Sequence, residues 1–172
     1  MIFRHDDFSR VIPLATVKWV HEEFLKRDLI ETACIQVCYG GMPGLHSNVI
    51  EYLHSMPDYD IQLHCWDHDQ YHTWDAERII RDLSAAMSYI KETFGNYPTA
   101  FYPPWNADSE SVTEASAFLG LDLRNKGTYI KHYINAPSAY MDTTVIYFHS
   151  WSKDNLEVLP ALLNLFVTQE NK

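Results

Sequence analysis

Short apolar runs and helical periods take turns along this chain almost from end to end. Residues 1–5 (MIFRH) read as a short strand. Residues 13–28 follow at helical spacing, with apolar Leu14, Val17, Val20 and Phe24 and with Pro13 suited to a first turn. Residues 32–39 (TACIQVCY) are rich in β-formers and close on Gly40 and Gly41, which predicts a second strand. Residues 45–56 predict a short helix stopped by Pro57, residues 61–66 (IQLHCW) a third strand, and residues 75–95 the best-patterned helix, ended by Gly95. Residues 99–105 (TAFYPPW) read as a strand cut short by two prolines. Residues 108–120 read as a helix whose acidic first turn suits its dipole. Residues 121–125 and 143–151 are further strands separated by a loop through 129–140, and residues 156–167 close the pattern as a helix.

Strands alternating with helices predict an α/β fold with a mainly parallel sheet, open or curled toward a barrel. No repeat, low-complexity stretch or linker interrupts the pattern, so residues 1–172 read as a single domain. That length buries a core large enough to fold without staples. In such folds chemistry gathers at the carboxyl ends of the strands. The rim would then collect His5, Asp6 and Asp7 from the first strand, His64 from the third, Pro103, Pro104 and Trp105 from the fourth, and His149 from the last.

Charge and composition narrow the picture. A net charge of −10 repels phosphate backbones and excludes nucleic acid as a partner. No apolar run approaches the roughly 20 residues that span a bilayer. The first ten residues lack the features of a signal peptide, so the expected location is cytoplasmic. Cys34, Cys38 and Cys65 are odd in number, lack zinc-ribbon spacing and lie in apolar runs, which predicts buried free thiols. Aromatic residues make up 14 %, which suits sugar-binding surfaces as well as cores. Trp105 and Trp151, next to rim positions, are the candidates for stacking on a sugar; Trp66 and Trp74 read as core.

Histidines recur every four residues at His64, His68 and His72. Pairs at that spacing bind metals from one face of a helical turn, although histidines after a strand can equally face solvent. Adjacent Asp6 and Asp7 would repel each other if both were charged and bare. A cation held by one and a proton-transfer role for the other relieve that conflict. A zinc-type site needs about three ligands of this kind and an open position.

In order along the chain these clusters resemble the motifs of the polysaccharide deacetylase family of carbohydrate esterases. The family's first motif, T-F-D-D-G, stands here as Arg4-His5-Asp6-Asp7-Phe8. Its second, as in H-T-W-S-H, stands as His64-Cys65-Trp66-Asp67-His68. Its third, R-P-P-Y, stands as Tyr102-Pro103-Pro104-Trp105, and its fifth, an apolar strand ending in histidine, as VIYFH ending at His149. The resemblance implies a distorted, incomplete (β/α) barrel. It implies a divalent metal, Zn²⁺ by preference, on Asp7, His64 and His68, and Asp6 as general base toward water. His149 is then the acid that protonates the leaving amine. The Trp105 backbone N–H becomes an oxyanion donor and its indole a wall of the acetyl pocket. Tyr102, Pro103, Trp105 and Trp151 become substrate contacts. The implied activity is removal of acetyl groups from an N- or O-acetylated sugar or polysaccharide. Two alternatives stand beside it: hydrolysis of a non-sugar C–N bond, and an inactive sugar-binding protein on the same fold.

The chain also departs from the family pattern. The third-motif arginine, which pairs with the base carboxylate, is Tyr102 here, so a cation for Asp6 has to come from Arg4 or Lys126. The fourth motif, D-x-x-D-W, is not visible, which leaves Asp122 as the carboxylate expected to orient His149 and raise its pKa. His5 stands in place of phenylalanine. His72 is surplus to any ligand set, His21, His46 and His54 read as solvated helix positions, and His132 falls in the expected loop.

Overall fold

The computed structural model describes residues 1–56, 59–140 and 144–167. Its sheet grows outward from β1 (Ile2–Phe8), whose neighbours are β2 (Glu31–Gln36) and β9 (Val145–Phe148). Beyond β2 lie β5 (Asp60–Cys65), β6 (Ala100–Phe101) and β7 (Asp122–Leu123), and beyond β9 lies β8 (Thr128–Tyr129). The order is β7-β6-β5-β2-β1-β9-β8, and every pairing in it is parallel.

The sheet is curled. Four inter-strand steps separate β1 from β7, about 19 Å across a flat sheet, which is beyond the reach of one side chain. Yet Arg4 on β1 donates to the carbonyl of Arg124, next to β7, at 3.2 Å. The expected incomplete barrel is the observed one.

Helices clad its outer face because alternate strand residues are apolar on that side. α1 (Leu14–Leu25), α2 (Ser47–Ser55), α3 (Ala76–Phe94) and α4 (Glu110–Phe118) cover one part, and α5 (Ile130–Asn135) and α6 (Lys153–Val167) cover β9 and β8. Two apolar cores result. One joins Phe8, Ile35 and Leu63 to Ile79, Leu83 and Val112; the other joins Phe3, Ile146 and Phe148 to Phe24, Leu159 and Leu163. Among the described residues the barrel interior holds a small apolar group of Cys34, Ala100 and Tyr102, with Ile2 packed against it. Polar side chains fill the rest.

Several expected boundaries moved. β1 runs on through Asp6 and Asp7 to Phe8. The strand expected over 32–39 stops at Gln36, and Cys38–Tyr39 (β3) pairs antiparallel with Met42–Pro43 (β4) instead. Gly40 and Gly41, at φ of 57° and 77°, supply the two left-handed residues that a tight hairpin turn requires. Gly44 then brings the returning chain so close that a Cβ there would stand 2.0 Å from the Gln36 carbonyl oxygen. Cys38 is consequently half-buried, whereas Cys34 and Cys65 are buried free thiols as expected. The loop expected over 129–140 contains the end of β8 and the helix α5. Pro57, expected to stop α2, and Thr143, expected to open the last strand, lie outside the described residues.

Candidate active site

A regular strand would send the side chains of Asp6 and Asp7 to opposite faces. Here the register against β2 slips, His5 facing Ala33 and Phe8 facing Ile35, so three steps on β1 match two on β2. Asp7 takes the slack with φ at 52°, a left-handed backbone that aspartate tolerates better than most residues. Such a bulge re-aims side chains. Both carboxylates line one cavity.

Asp6 is gripped by Arg4, two residues back on the same face of β1. Arg4 Nε and Nη2 donate to the two carboxylate oxygens at 2.6 and 2.5 Å, a forked pair with both partners buried. Arg4 also donates to Asn106 Oδ1 at 2.9 Å and packs over the Tyr147 ring at 4.7 Å. Burial pushes its pKa down, but the adjoining Asp6 charge and hydrogen bonds outweigh that and raise it. Arg4 thus meets Asp6; Lys126 is exposed.

Asp7 Oδ1 lies 3.0 Å from both His64 Nε2 and His68 Nε2. Burial alone would push the Asp7 carboxyl up, yet the close approach of the His64 and His68 imidazoles holds it well below the usual carboxylate range. His64 Nδ1 is 2.6 Å from the Tyr102 carbonyl oxygen, an acceptor only, so Nδ1 carries a proton. Nε2 then faces a carboxylate with a lone pair unless a second proton or a cation lies between them. The three ligand atoms lie within 4.8 Å of one another. A nitrogen–nitrogen–oxygen set of that size, with an outer hydrogen bond fixing the imidazole, fits a divalent cation.

The spacing of His64 and His68 is not helical. His64 belongs to β5 and His68 to the bend that follows it. Asp67 closes that bend by accepting the His68 N–H at 3.0 Å, and Gln36 Nε2 donates to the same oxygen at 3.2 Å. Trp105, in a short 3₁₀ turn after β6, has a left-handed backbone at φ 60° and sets its ring edge-on to His68 at 4.9 Å. Among the described residues its N–H makes no backbone hydrogen bond. Trp151 Nε1 donates to Asp7 Oδ2 at 3.1 Å. Trp105 and Trp151 are 69 % and 55 % exposed, unusual for tryptophan and open to a ligand.

His149 follows β9, with Nε2 3.6 Å from Asp7 Oδ2. Its pKa is lowered, because burial outweighs the attraction of Asp7 and Asp6. The upward shift expected from Asp122 is therefore not found. Asp122 is exposed and bonded to Arg124 at 2.5 Å. Tyr102 and Pro103, expected to touch substrate, are buried and do not line the cavity. Tyr102 contributes its carbonyl to His64 and its ring to the barrel interior. His72, His46, His54 and His132 are exposed, but His21 is buried, with Nδ1 2.9 Å from the Tyr52 hydroxyl.

The cavity has a volume of about 430 Å³ and is lined by Arg4, Asp6, Asp7, His64, His68 and His149 with aromatic walls. Asn106, Tyr129 and Tyr147 also line it, although no motif visible in the sequence gives them a role. Tyr147 was accessible to strand alternation, since it precedes His149 by two. Tyr129 lay in the stretch read as loop. A second hollow of about 470 Å³ shares Asp7, His68, Trp105 and Trp151 and extends toward Tyr39.

Comparison with known proteins agrees with this geometry. A family profile described as polysaccharide deacetylase matches residues 30–123. Chitin deacetylase 1 of Cryptococcus neoformans var. grubii is 33 % identical over 66 residues, which are 38 % of this chain and only 14 % of that protein. A family 4 acetyl xylan esterase from Clostridium thermocellum, solved with a cobalt ion, shares 15 % identity at a TM-score of 0.72, over 99 % of this chain and 82 % of that one. A family 4 carbohydrate esterase pseudoenzyme from Bacillus anthracis shares 10 % identity at a TM-score of 0.71, over 98 % of this chain and 60 % of that one. The profile spans more than half of the sequence, on a fold shared over nearly all of it, and the chain belongs to the polysaccharide deacetylase family.

Proposed function

We propose that this protein is a metal-dependent deacetylase acting on an N- or O-acetylated sugar or glycan. The observation that carries the reading is the Asp7 carboxylate held between two imidazole nitrogens, with the adjacent Asp6 locked separately by Arg4. Two neighbouring carboxylates in such different surroundings suit different tasks. Asp7, His64 and His68 would hold the cation, with Zn²⁺ suited to their donor set. A divalent cation there supplies Lewis-acid polarisation of the acetyl carbonyl and makes water a stronger nucleophile at neutral pH.

The side chains supply the rest. Asp6, aligned by the guanidinium fork, accepts the proton of the attacking water. The Trp105 N–H, without a backbone acceptor among the described residues, donates to the oxygen on which charge develops. His149 gives a proton to the departing nitrogen or oxygen. The exposed indoles of Trp105 and Trp151 form an apolar wall for the acetyl methyl and a platform for a sugar ring. Arg4 supports turnover over the inactive sugar-binding reading, because a protein that only binds has no need of a buried, forked cation behind a base.

The test is acetate release from acetylated chitooligosaccharides and acetylated xylan, with and without a chelator, alongside metal analysis. Asp6→Asn should keep its metal and lose about 10²–10⁴-fold in rate, whereas His64→Ala should lose the metal. Equal metal in wild type and His64→Ala would refute the ligand set. Chelator-resistant turnover, or none on any acetylated glycan, would refute the activity.

A further inference from the structure

Beneath the cavity floor lies a polar chain that the proposed chemistry does not use. Ser150 Oγ is 2.6 Å from His5 Nε2, and His5 Nδ1 is 2.5 Å from Glu31 Oε1. All three residues are buried. Their order matches that of a serine nucleophile with its base and acid, but Ser150 is 3 % exposed and does not line the cavity, so no substrate reaches it. Packing does not require polarity here either. The His5 ring stacks on Phe148 at 4.7 Å and meets Phe8 edge-on at 4.7 Å, an environment that suits an apolar ring. Burying three polar side chains costs free energy unless each is bonded, and what a bonded chain adds is direction.

We propose that Glu31, His5 and Ser150 are positioning residues that hold His149 and Trp151 over the cavity. Ser150 lies between those two, in the four residues that join β9 to α6. Its side chain points down to His5, while those of His149 and Trp151 reach Asp7 Oδ2 at 3.6 and 3.1 Å. The segment has a second tether on its α6 side, where the His149 N–H donates to Asn155 Oδ1 at 3.0 Å. Ser150 is the peg on the β1 side. It ties the loop to the strand that carries Asp6 and Asp7, so both halves of the site share one frame. The inference rests on the deacetylase reading for its effect on rate, but its geometric content can be tested without it.

The experiment compares wild type, Ser150→Ala, His5→Phe and the double variant by two readouts. The first is the indole N–H resonance of Trp151 among those of the 5 tryptophans. The second is kcat on an acetylated chitooligosaccharide. Ser150→Ala should shift or broaden the Trp151 resonance, leave the other four in place, and lower kcat about tenfold to a hundredfold, as expected for a small misplacement of catalytic groups. The double variant should lose no more than the worse single one, because the residues act as one chain. A folded Ser150→Ala with an unmoved Trp151 resonance would overturn the proposal, and so would additive losses in the double variant. If His5→Phe fails to fold, Ser150→Ala, which removes only a hydroxyl, decides alone. If wild type releases no acetate, the deacetylase reading fails, and the Trp151 resonance still decides the positioning.

Discussion

Replacing Arg4 by methionine leaves a buried carboxylate without its cation, and the structure sets the size of the effect. The side chains of Arg4 and Asp6 are 1 % and 4 % exposed, and the forked contact is at 2.5–2.6 Å. Removing one partner of such a pair costs about 3–5 kcal/mol, mostly from the stranded charge. Loss of the guanidinium over Tyr147 adds up to about 2 kcal/mol for a desolvated site, and methionine returns part of the packing. A net loss of about 4 kcal/mol follows, which for a chain of this length lowers Tm by roughly 10 °C. Urea unfolding followed by tryptophan fluorescence measures it, with Asp6→Asn and Arg4→Met/Asp6→Asn completing a double-mutant cycle. The double variant should be more stable than Arg4→Met alone, because no bare charge is left behind. A loss below about 1 kcal/mol for Arg4→Met, or strict additivity across the cycle, would show that the pair is not the buried unit described.

Other consequences are testable alongside. Burial raises the Asp82 carboxyl above its ordinary pKa even though the Tyr71 hydroxyl donates to it, so its ionised form disfavours the fold. A raised folded-state value means stability that is present below the unfolded pKa and lost as pH rises through the folded one. Asp82→Asn should therefore exceed wild type in denaturation midpoint at pH 7 and lose that advantage near about pH 4, and a constant difference would contradict the assignment. Gly44→Ala forces a Cβ to within 2.0 Å of the Gln36 carbonyl oxygen and should cost about 1–3 kcal/mol; a thermal melt unchanged from wild type would argue against the close approach. His149→Ala should depress amide hydrolysis far more than hydrolysis of activated aryl acetates, whose leaving groups need no proton. An equal loss on both substrates would make His149 structural.

Period and motif order carried much of the architecture into view, and tertiary context decided the remainder. Long elements such as α3 show their pattern locally. The short strands β6 and β7 also fall inside runs that read as strands, but the two-residue β8 does not, since its pairing depends on where the sheet curls. Arg4 was legible as the partner of Asp6, because residues two apart share a strand face. Asp122 occupies the expected region of the sequence, but Arg124, two residues away, pairs with it instead. The bulge at Asp7 leaves no mark, as no glycine announces it. His21 looked solvated on its own helix; only α2 and the segment after it bring Tyr52 and Tyr59 to cover it. Ser150 carries no local signal of its contact with His5, a residue 145 positions away.

The backbone at position 7 narrows what redesign could do there. With φ at 52°, the position suits glycine, asparagine and aspartate, and of these only aspartate brings a negative charge between the two imidazoles. Glutamate would keep the charge but extend the side chain and strain the turn, and a cysteine introduced to soften the proposed donor set would meet the same backbone penalty. Changes in the chemistry of this site are better made from His68, which sits in a bend without a left-handed φ. Conformation and charge select the same residue at position 7, so one substitution there disturbs both.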